Sequence, residues 1–138
     1  MSYREKSAWV MAALMAVTGA YYFLIVRAAS QALGETAPAA VAIGFVMLVV
    51  IGSIAVQVVL ALSSPREANA PADERERLVA QRSGNWSGLV LATCAVTALG
   101  HFLVRSDGSM LFHLVMGSLI VSQIAEYAFQ IFLSRRSV

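Results

Sequence analysis

Apolar residues along this chain gather into four long stretches, over residues 8–26, 38–62, 86–104 and 110–133, separated by short polar segments. About 20 helical residues cross a hydrocarbon core about 30 Å thick, so each stretch is of a length suited to a bilayer. In lipid every backbone N–H and C=O needs a partner inside its own segment, and a helix supplies it. The pattern therefore predicts an all-α integral membrane protein: a four-helix bundle of two antiparallel transmembrane hairpins in a single domain, residues 1–138. The longest polar segment, residues 63–85, is too short to fold alone.

Local signals refine these elements. Thr36 and Pro38 read as the cap and first turn of the second helix. Residues 63–72, with Pro65 and Pro71, read as an irregular exit, and residues 73–82 as a short cytoplasmic helix with acids at its start and bases at its end. Asp107-Gly108 marks a tight turn between the last two helices. Two series of small residues, Ala40, Gly44 and Gly52 in one helix and Gly84, Gly88 and Ala92 in another, predict faces for close helix packing. Trp9, Tyr21 and Tyr22 stand where aromatic anchors at a membrane interface belong.

Composition agrees with the pattern. The chain is 59% hydrophobic and 13% charged, against about 25% charged in soluble domains. The net charge of +2 does not point to nucleic acid, because the basic residues follow the topology of the spans. Arg4, Lys6, Arg66, Arg75, Arg77, Arg82, Arg135 and Arg136 fall on one side, and only Arg27 and Arg105 on the other. The positive-inside rule then places both termini and the middle loop in the cytoplasm. The apolar run 8–26, preceded by Arg4 and Lys6, has some look of a signal peptide. Arg27 interrupts the cleavage region, so the run is expected to be retained as a span. Cys94 is the single cysteine and is expected to act as a small apolar residue. Asn85-Trp86-Ser87 fits a glycosylation pattern on the wrong side of the membrane for that use.

A faint internal repeat relates the halves. Lys6-Ser7-Ala8-Trp9 is echoed by Arg82-Ser83-Gly84-Asn85-Trp86, and Ala16-Val17-Thr18 by Ala95-Val96-Thr97. A duplication of this kind would place α-hairpins in parallel about an axis along the membrane normal.

Ionisable groups inside a bilayer are expensive and so mark candidate sites. Glu126 heads a polar stripe, Ser118, Ser122, Glu126 and Gln130, with Gln123 beside it. Gln57 sits at similar depth on the second span, and a Glu126–Gln57 contact is expected. This seam reads as an interhelical hydrogen-bond network, a proton or cation pathway, or a subunit interface. His101 and His113 lie near the ends of adjacent helices and form a candidate metal or haem pair, although metal sites generally need more ligands. Hydrogen-bonded interfacial histidines are the plainer alternative. No cofactor is required by the sequence. Asp73, Glu74, Arg75 and Arg77 read as a solvated helical cap or as a docking surface for a cytoplasmic or membrane protein. Nucleotide-binding, zinc-protease, serine-hydrolase and dithiol motifs do not occur, so an enzyme is not expected.

The segment Asp73-Glu74-Arg75-Glu76-Arg77, ahead of the third span of a four-span chain, resembles that of small uncharacterised bacterial membrane proteins with an Asp-Glu-Arg segment between two helical hairpins. The resemblance implies a bacterial inner-membrane setting and an accessory role, with no catalytic residues to carry over. The expected function is thus a non-enzymatic membrane accessory or scaffold protein, in a lipid bilayer and able to form a homodimer. A small transporter or channel component built on Glu126 is the alternative.

Overall fold

A computed structural model describes residues 3–33, 37–63, 65, 71 and 73–136. Among them the chain is all-helical: α1 (Tyr3–Leu33), α2 (Ala37–Ser63), α3 (Glu74–Arg105) and α4 (Gly108–Arg136). Each helix carries a stretch long and apolar enough to cross a membrane. The helices outrun the apolar stretches. α3 has 32 residues, about 48 Å at 1.5 Å per residue. The expected short helix over 73–82 forms its first turns, with Asp73 as the N-cap, and runs on without a break into the span. No proline interrupts that junction, and the Ser83 and Ser87 hydroxyls donate to the carbonyls of Ala80 and Gly84 in their own helix.

Helix ends follow ordinary capping chemistry. The Asp73 carboxylate accepts from the Glu74 N–H at 2.7 Å, and Glu76 reaches back to the Asp73 N–H, completing a capping box. At the other end of α3, Ser106 takes the left-handed conformation (φ 53°) and its N–H bonds the Phe102 carbonyl. The Asp107 carboxylate then accepts from the Met110 N–H at the start of α4. The expected Asp107-Gly108 turn is therefore Ser106-Asp107, with Gly108 already helical. Pro38 lies in the first turn of α2 as expected. Thr36 and most of the expected exit 63–72 lie outside the described residues.

Contacts between the helices fix their order and directions. α1 packs on both α2 and α4, and α3 packs on α4, so α1 and α4 form the central pair. Ser7 near the start of α1 meets Gln57 near the end of α2, and Arg75 at the start of α3 meets Ser134 at the end of α4. Both hairpins are antiparallel. Glu5 pairs with Arg135 at 3.2 Å, so α1 and α4 are antiparallel too. One end of the bundle consequently collects Lys6, Arg75, Arg77, Arg82, Arg135 and Arg136. A symmetric repeat would pack α2 on α3 as α1 packs on α4, and among the described residues that second pairing is slight at most.

Among the residues of α1 whose burial is described, Ala8, Met11, Met15, Thr18 and Tyr22, spaced at three and four, are buried on one stripe together with Gly19. Gly19 lies at the crossing with α4. A Cβ built there would sit 2.6 Å from the Ile120 Cγ2, and a β-branched side chain in a helix has little freedom to turn away. The α3–α4 seam buries Ser83, Ser87 and Ala98. That face is not the expected Gly84–Gly88–Ala92 ridge: an added Cβ at Gly84 or Gly88 meets nothing within 4 Å. The same holds at Gly44, while at Gly52 only ordinary contact with Leu14 arises.

Gly19→Ala is accordingly expected to destabilise the fold by about 1–3 kcal/mol through overpacking. Gly88→Ala, where no neighbour is met, is expected to be neutral or slightly stabilising. Thermal unfolding of the purified variants in detergent measures the contrast.

Candidate functional site

The polar stripe of α4 is present, and its hydrogen bonds run mostly within α4. Ser118 and Ser122 are buried and donate to the carbonyls of Leu114 and Leu119 at 2.7 and 3.0 Å. Glu126 is half-buried, and its Oε1 accepts from Gln130 Nε2 at 3.4 Å, one turn along the same helix. Gln123 is half-buried beside them. The expected Glu126–Gln57 contact does not form. Gln57 is exposed and bonds Ser7 of α1, Nε2 to Oγ 3.2 Å. The reason is positional: α1 packs against both α2 and α4, and so stands between the two side chains.

The hydroxyl back-bonds explain why so many small polar residues tolerate burial. A serine or threonine that satisfies its proton on its own helix leaves no orphan donor. It also presents a small surface to the neighbouring helix, which lets the backbones approach. Thr18 does the same in α1, donating to the Leu14 carbonyl at 2.7 Å. The stripe thus works as packing surface before it works as chemistry.

The polar contact between helices at the core cluster lies elsewhere, at Tyr22 and His113. The Tyr22 hydroxyl is 3.1 Å from His113 Nδ1. Tyr22 is 1% exposed and anchors the core cluster with Ala42 and Ile120. Its ring centroid lies 4.8 Å from that of Phe45 in α2 and 5.4 Å from that of Phe23, the latter edge-on. One side chain therefore joins α1, α2 and α4. Tyr21, 53% exposed, and Trp9, 45% exposed, stand outward as interfacial anchors would; the expectation for Tyr22 is corrected. Sequence reasoning missed the role: Tyr22 falls on the stripe of Ala8, Met11, Met15 and Thr18, but the other sides of α1 are apolar as well.

His113 is thus occupied by Tyr22. His101 differs, because its Nδ1 is buried without a hydrogen-bond partner among the described residues. No group of three or more His, Cys, Asp or Glu residues able to hold a metal occurs among the described residues. Two rings, one of them already engaged, make a weak ligand set.

The charged segment has internal work. Asp73 caps α3, and Arg75 Nη2 donates to the Ser134 carbonyl at 3.0 Å, satisfying an orphan acceptor in the last turn of α4. Glu74 and Arg77 stand exposed. Nearby, Arg135 pairs with Glu5 and lies 5.6 Å over the Trp9 ring, and Arg136 stacks 4.6 Å over Phe132. This end is a clasp holding α1, α3 and α4 together. The exposed ion pair itself adds at most about 1 kcal/mol.

No protein-family model, curated protein or solved structure matches this chain.

Tyr22→Phe keeps the ring packing and removes the bond to His113, and is expected to cost about 1 kcal/mol. In a double-mutant cycle with His113→Ala, the two losses are expected to fall short of additive. Glu126→Gln, which keeps a partner for Gln130, is expected to leave unfolding unchanged.

Proposed function

We propose that this chain is a small multi-pass protein of a bacterial inner membrane, with its arginine-rich end in the cytoplasm. On this reading it acts as a non-enzymatic accessory or scaffold protein, through its outward helix faces and its charged end. The observation that carries the reading is the outward placement of apolar side chains. α2 is the most apolar helix, yet its most apolar stretch holds no buried residue. Leu24, Ile43, Ile54, Val59, Leu62, Leu89 and Leu103 are all exposed. A contiguous apolar exterior of this extent suits lipid or other membrane helices, not water.

Scaffold work is favoured over conduction because the polar atoms of the Glu126 stripe are largely spent within α4. A conducting path needs such groups lining a shared route between helices. The resemblance carried by residues 73–77 supports the same inner-membrane setting. Glu74 and Arg77, exposed beyond the span, are the residues of that segment left to meet a protein partner. The free ridges at Gly44 and at Gly84 and Gly88 offer surfaces for a second copy or another membrane helix.

Affinity capture from native membranes tests the reading. Wild-type protein is expected to bring down defined membrane proteins or a second, differently tagged copy. A Glu74→Arg, Arg77→Glu variant is expected to lose those that dock on the charged segment. Recovery of the tagged chain alone, under gentle solubilisation and after cross-linking, would contradict a scaffold role.

A further inference from the structure

The arginines at the charged end are unequal. Arg75 caps α4, Arg135 pairs with Glu5, and Arg136 stacks on Phe132. Arg82 is exposed and makes no hydrogen bond or ion pair among the described residues. It lies one turn before Trp86, where α3 passes from its polar first turns into its apolar stretch. Asn85 and Trp86 follow Arg82 at three and four residues, and Leu89 at seven, so all four share one side of the helix. All four are exposed, Trp86 at 57% even though its ring packs 5.8 Å from that of Phe129. The buried Ser83, Ser87 and Ala98 face α4, leaving this side outward.

The order of groups along that side matches a phospholipid. In a bilayer Leu89 falls toward the acyl region, Trp86 at the boundary, and the Arg82 backbone about 6 Å of helix rise further out, toward headgroup depth. Three donor groups, the guanidinium, the Asn85 amide and the indole N–H, are thus carried on one exposed side of α3 within a single turn. Arg suits this use because its planar fork bonds phosphate oxygens in pairs. The nearest acid earlier on α3, Glu76, is six residues or about 9 Å away, and Glu126 of α4 is turned to Gln130. We propose that Arg82, Asn85 and Trp86 form a binding position for the headgroup of an anionic phospholipid. The proposal rests on the membrane reading above. A zwitterionic headgroup offers the same phosphate but adds a cation that Arg82 repels, so the site prefers net negative lipid. One basic residue near the surface is expected to give about a five-fold enrichment.

The test uses the full chain with Trp9→Phe, so that Trp86 is the only indole. It is reconstituted in phosphatidylcholine vesicles holding a matched minor fraction of dibrominated phosphatidylglycerol or dibrominated phosphatidylcholine. Bromine quenches a neighbouring indole, so the fluorescence of Trp86 reports which lipid lies beside it. The expected result is stronger quenching by the brominated phosphatidylglycerol, equivalent to about a five-fold local enrichment. Arg82→Gln and high salt should each abolish the difference while quenching by brominated phosphatidylcholine persists. Equal quenching by the two lipids in the unsubstituted Arg82 protein would overturn the proposal and leave the membrane reading standing. No quenching by either lipid would remove the membrane reading and the proposal with it.

Discussion

The close crossing of α1 on α4 determines the arrangement of the remaining parts. Gly19 brings the α1 backbone against Ile120, and no side chain larger than hydrogen fits there without movement. With that approach made, Tyr22 reaches His113, and Thr18 is buried without an orphan proton. Glu5 meets Arg135 at the charged end of the same helix pair. α2 attaches to the outer side of α1 through Phe45 and Gln57, and α3 lies along α4 through Ser83, Ser87 and Ala98. The bundle is therefore built outward from one central pair. It does not repeat a hairpin twice with equal seams.

Much of the architecture was legible because long apolar runs leave a chain few alternatives. Four helices, two hairpins, a two-residue turn near Asp107 and a helical segment after Asp73 all follow from such runs and their punctuation. The helix ends were less legible, since hydropathy marks where side chains turn polar and not where backbone hydrogen bonding stops. α1 (Tyr3–Leu33) and α3 (Glu74–Arg105) each continue well beyond their apolar stretches. The inward faces were the least legible. When every side of a helix is apolar, periodicity no longer separates core from exterior. Gly84 and Gly88 looked like the packing ridge, while Ser83 and Ser87, one position away, fill that role.

The candidate site shows the same limit. Glu126 and Gln57 share a depth, and depth can be counted along a sequence. Adjacency requires knowing which helix stands between them, and here that helix is α1. Tyr22 and His113 were each visible as unusual residues, but their pairing depends on the α1–α4 crossing and hence on Gly19. Of the two histidines read near the α3–α4 turn, His113 bonds Tyr22 across the α1–α4 crossing, a contact the turn does not reveal. The charged segment is helical from Glu74 on and exposed except at half-buried Glu76, and two of its four candidate docking residues, Asp73 and Arg75, serve helix ends within the chain.

On the proposed reading the outward apolar faces meet lipid, with the arginine-rich end on one side of a membrane and the Arg27 end on the other. Single cysteines placed at Arg75 and at Gln31, both exposed, in a Cys94→Ser background test it most directly. With a membrane-impermeant thiol reagent on intact cells, the account predicts labelling at position 31 and none at position 75 until the membrane is opened. Equal labelling of both positions from the same side would contradict it.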